Sequence, residues 1–78
     1  MRFMKKEQQF SVVIERDKHG FFAFCPELQG CYAQGKTHED ALKSIKDAIK
    51  LHVADIRAEG EELPHIELVS LSTVAVAV

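Results

Sequence analysis

Phe10, Val12 and Ile14 alternate with Ser11, Val13 and Glu15. A period of two in a stretch rich in β-branched residues predicts a strand over Phe10–Glu15 with one buried face. Asp17-Lys18-His19-Gly20 follows and reads as a hairpin loop, closed by the Asp side chain and a Gly. Phe21–Cys25 reads as a second strand, with Phe22 and Phe24 on one face, and Pro26 stops it because proline cannot donate to a ladder. After the loop Pro26–Gly30, a short third strand spans Cys31–Gln34 and ends at Gly35. Short loops between three strands imply an antiparallel meander.

The period then changes. Ala41, Leu42, Ile45, Ala48, Ile49, His52, Val53 and Ile56 form one stripe at helical spacing, with Lys43, Lys46, Asp47, Lys50 and Arg57 opposite. Thr37 is a good N-cap, with Asp40 three residues on, and Gly60 is the expected C′ stop. Beyond an acidic connector, Ile66–Val69 is expected to be extended. Thr73–Val78 is apolar on both faces and strongly β-prone, and it reads as a fourth strand joining the same sheet after the helix crossover. The predicted class is α+β, in the order β-β-β-α-β, with one helix packed on the sheet. It is read as one domain over residues 1–78 with a flexible lead-in over residues 1–8.

Composition adds one constraint. A chain of 78 residues hides only about 60% of the surface its unfolded form exposes, so its core is marginal. Disulfides, a metal or oligomerisation usually supplement such a core. Cys25 and Cys31 face each other across one loop, a spacing that leaves a bridge open to geometry, but without an export signal they read as free thiols. Self-association is therefore the favoured supplement. The net charge of −2 gives no basic surplus for nucleic-acid phosphates. No apolar run has the length of a signal peptide or a bilayer span, so a cytoplasmic location is expected.

The candidate chemistry is sparse. His19, His38, His52 and His65 show no metal-ligand spacing. His52 lies in the apolar stripe, where a packed residue outweighs a base because no orienting partner is evident. Neither cysteine has a visible base to activate it. The acids sit in loops and on a solvated helix face and do not converge as a two-metal site requires. No catalytic residue, cofactor or metal is expected.

One resemblance goes beyond pattern. Phe10–Glu15, Gly20-Phe-Phe-Ala-Phe-Cys-Pro-Glu-Leu28, Gly30-Cys-Tyr-Ala-Gln-Gly35 and Thr37-His-Glu-Asp-Ala-Leu42, with Ile45 and Ala48-Ile49, together resemble the signature of the HicB antitoxin family. Asp40 stands where that family's pattern has a Glu. The resemblance covers about Phe10 to Gly60. It implies a partial RNase H-like fold without that enzyme's carboxylates, so the likeness does not carry nuclease activity. It also implies a HicA-like partner, a small mRNA-cleaving toxin inhibited by direct contact, and homo-dimers or homo-tetramers. Family members carry a C-terminal DNA-binding domain. The present sequence stops at Val78, after the expected last strand, so direct DNA binding is not expected. An orphan homo-oligomeric scaffold of the same fold is the alternative. Val74, Val76 and Val78 are the residues expected to pair subunits, and Glu27 and Tyr32, on or beside the motif loop, those expected to touch a partner.

Overall fold

The computed structural model describes residues 7–78. Of the expected lead-in, residues 1–6 lie outside the described residues. The architecture is α+β: strands β1 (Val13–Asp17), β2 (Gly20–Phe24) and β3 (Tyr32–Gly35) are followed by helix α1 (His38–Ala58). The strands form one antiparallel sheet in the order β1-β2-β3. The expected meander and helix are present.

β1 begins later than the alternation predicts and runs on into Arg16 and Asp17. The Ser11 N–H is taken by the Glu27 carboxylate, so ladder pairing starts only at Val13, opposite Phe24. At the other end, Asp17 Oδ1 accepts the His19 N–H at 2.7 Å. That bond tightens the turn to Lys18-His19 and lets Asp17 and Gly20 pair.

The helix ends are set locally. Thr37 is extended, and its Oγ1 accepts the Asp40 N–H at 3.0 Å. At the far end the Gly60 N–H donates to the Arg57 carbonyl and the Glu61 N–H to the Ile56 carbonyl, with Gly60 at φ +75°. This is a Schellman termination, which favours glycine at that position.

The pleat sends Ile14, Ala23 and Ala33 to the helix side of the sheet. There the buried residues are Ala23, Cys25, Leu28, Cys31, Ala41 and Ile45. Phe10, Val12, Ile14, Phe21, Ala48, Ile49, Val53 and Ile56 pack around them, half-buried. Leu42, assigned by spacing to the apolar stripe, is 45% exposed because it sits at the stripe's margin. Gly35 makes the helix–sheet contact possible. A Cβ there would run into the Ala41 nitrogen, so the backbones touch where a side chain would stand.

The expected fourth strand is not formed within this chain. Residues 61–78 join no ladder, because the chain runs past the sheet and its backbone meets no neighbour to pair with among the described residues. The radius of gyration, 15.3 Å, is well above the roughly 11–12 Å of a compact chain of this length.

Candidate functional site

The loop between β2 and β3 is built from two consecutive turns. The Leu28 N–H donates to the Cys25 carbonyl and the Cys31 N–H to the Leu28 carbonyl, each at 3.2 Å. Pro26 occupies the second position of the first turn. Gly30, at φ +78°, takes the third position of the second, where a positive φ is required. A further bond from the Cys25 N–H to the Cys31 carbonyl, 3.0 Å, carries the sheet pairing up to the loop. The path turns Cys25, Leu28 and Cys31 inward, so half of the six core residues come from this one loop.

Both cysteines are free and buried. Burial pushes the Cys25 thiol up to about 11, an effect that the backbone N–H groups of Glu27 and Leu28 oppose and the Glu27 charge reinforces. Burial also raises Cys31. Both are thiols rather than thiolates at neutral pH, so neither is poised as a nucleophile.

Glu27, expected at a partner contact, is half-buried, and its carboxylate is engaged within the chain. Its two oxygens accept the Ser11 N–H at 3.1 and 3.0 Å, and Oε1 lies 3.6 Å from Cys25 Sγ. Burial alone would raise its pKa. Hydrogen bonds from Ser11, from its own backbone N–H and from Cys25 outweigh that effect and hold it below the ordinary value.

Tyr32 lies on the side of the sheet away from the helix and is 62% exposed. The register brings Val13, Phe24 and Tyr32 into one row and Glu15, Phe22 and Gln34 into the next. The Phe22 ring lies 5.7 Å from Tyr32 and 6.2 Å from Phe24, centroid to centroid. Three aromatic rings thus form a patch flanked by Glu15 and Gln34, and no element covers it among the described residues. Tyr32, expected at a partner contact from its place beside the motif loop, is exposed on this face. Phe22 and Phe24 were legible as face-mates, but only the burial of Ala23 shows that theirs is the open face. Val74, Val76 and Val78 are exposed in the C-terminal segment, which joins no strand of the sheet.

Among the described residues no group of three or more His, Cys, Asp or Glu side chains converges to hold a metal. No helix there is long and apolar enough to cross a membrane. The family model of the HicB-like antitoxin of bacterial toxin–antitoxin systems matches residues 10–75. The chain belongs to this HicB-like antitoxin family. The HicB-like chain is similar to a UPF0150 protein of Helicobacter pylori, 51% identical over 49 residues, covering 63% of this chain and 68% of that one. It is also similar to a UPF0150 protein of Synechocystis, 36% identical over 66 residues and covering 83% and 84% of the two chains. A third relative, from Thermoplasma acidophilum, is 35% identical over 57 residues, with 72% and 83% covered. No solved structure gives a significant match.

Proposed function

We propose that this protein neutralises a small mRNA-cleaving toxin of the HicA-like kind by direct contact, without catalysis of its own. Membership of a HicB-like antitoxin family carries the reading. The open face of the sheet supports it and offers the contact surface. Clustered, partly exposed aromatic rings are the side chains that anchor protein interfaces most effectively. The overall acidic balance suits a basic, RNA-cleaving partner through complementary charge. Tyr32 is the anchor on this reading. Glu27 acts from behind it, fixing the loop that leads into β3. The partial RNase H-like scaffold that the resemblance implies would be built on this meander and helix.

The test is co-expression with the product of the neighbouring gene, followed by pull-down and an mRNA-degradation assay. A complex of one toxin per antitoxin subunit is expected, with mRNA cleavage suppressed. Tyr32→Ala should weaken it by about tenfold or more while leaving the fold intact. No complex with any adjacent-gene product at about micromolar concentration would refute the proposal.

A further inference from the structure

We infer that the aromatic face of the sheet takes one arginine of the partner protein, its guanidinium laid on the Phe22 ring and paired with the Glu15 carboxylate. This rests on the reading of that face as a toxin contact and adds what the partner must bring to it. The register is the first support. Glu15 is exposed and stands directly across from Phe22 in the β1–β2 ladder. Directly opposed residues have Cβ atoms about 5 Å apart, so a cation seated on the ring is within reach of the carboxylate. Of the strand residues on this face, only Glu15 and Asp17 are charged, and both are acids.

The neighbouring pair is the second support. Arg16 and Phe21 are the next partners along the same ladder and lie on the helix side of the sheet. The Arg16 guanidinium carbon is 5.7 Å from the centre of the Phe21 ring. There the chain supplies its own cation. One residue back, the arrangement recurs on the open face with a carboxylate in place of the arginine. Among the described residues no cation lies over Phe22, Phe24 or Tyr32. The face of an aromatic ring is negative, so ring and carboxylate both favour a cation brought from outside.

The same features sort the occupants. Tyr32 and Phe24 flank Phe22 at 5.7 and 6.2 Å, a platform on which bases could stack. That mode also needs a positive groove for the phosphates, and the two acids here repel them. An apolar side chain would cover Glu15 without giving it a counter-charge. Lysine matches the charge but not the shape. A planar guanidinium lies flat on a ring and still directs N–H groups at a carboxylate. Arginine is also the residue with which an RNA-cleaving protein grips phosphate, so seating one here withdraws it from RNA.

The test has two arms. In the first, the full chain alone is titrated with the blocked peptide Gly-Arg-Gly, followed by the NMR signals of the Phe22 and Tyr32 rings and the Glu15 amide. These signals should shift and saturate in the millimolar range, with the lysine peptide weaker and the citrulline peptide without effect. In the second arm, Glu15→Gln and Phe22→Leu are each compared with the parent in the toxin complex. Each should weaken binding by about threefold or more. Their combined effect should fall short of the product of the two, because both hold one arginine. Glu15→Gln is at an exposed position, so its result does not depend on how the sheet tolerates a change at Phe22. A complex that both variants form within about twofold of the parent would overturn the arginine inference and leave the toxin reading standing. Absence of any complex would remove the toxin reading, and the peptide arm would still decide the site: no shifts, or equal shifts with citrulline, overturn it.

Discussion

Leu28 is buried because Pro26 and Gly30 fold the chain into two turns around it, and its neighbours Cys25 and Cys31 go in with it. The loop is a piece of core closed by backbone bonds. Leu28→Ala should cost about 2–5 kcal/mol, measured by denaturant unfolding, because the cavity would open beneath a loop with little freedom to collapse. Glu27 secures the same loop from outside through Ser11. Its pKa is depressed in the folded state, so its contribution is present in full above its ordinary value of 4.5 and is lost as pH falls through the folded value. A stability-against-pH series should show Glu27→Gln less stable than the parent near neutrality, with the difference closing in acid. The presence of this loop was legible in the sequence from its proline and glycines. Its inward aim was not, because which side chains turn in depends on the sheet pairing that continues to Cys25 and Cys31.

At the scale of elements, the helix meets the sheet backbone to backbone at Gly35. Gly35→Ala forces a methyl group against main-chain atoms that have no rotamer to change. The expected loss is about 1–3 kcal/mol, seen as a lowered unfolding midpoint with helix and strands weakened together. Both helix ends were legible from Thr37 and Gly60, because capping is decided within a few residues. The start of β1 was not. It depends on a bond between Ser11 and Glu27 across 16 positions of chain, which no local pattern encodes. Leu42 illustrates a second limit: spacing assigns a residue to a stripe, but the width of the covering sheet decides whether the stripe's margin is buried.

At the scale of the whole molecule, a small core lies under one face of a three-stranded sheet, and two apolar surfaces remain outside it. One is the aromatic face and the other the C-terminal segment. Period-two alternation at Val74, Val76 and Val78 predicts a strand, but none forms over these residues, because alternation marks what can pair and not whether a neighbour is there. Pairing between strands far apart, or in different chains, leaves no trace in periodicity. The toxin reading assigns an occupant to the first surface.

Tyr32 brings a practical consequence. The chain has one tyrosine and no tryptophan, so essentially all of its intrinsic ultraviolet fluorescence originates on the open face of the sheet. The protein carries a native optical reporter where an occupant of that face would land. A ligand that quenches or shifts this emission reaches the sheet, whereas one that docks on the helix around Leu51, which is 67% exposed, leaves the emission unchanged.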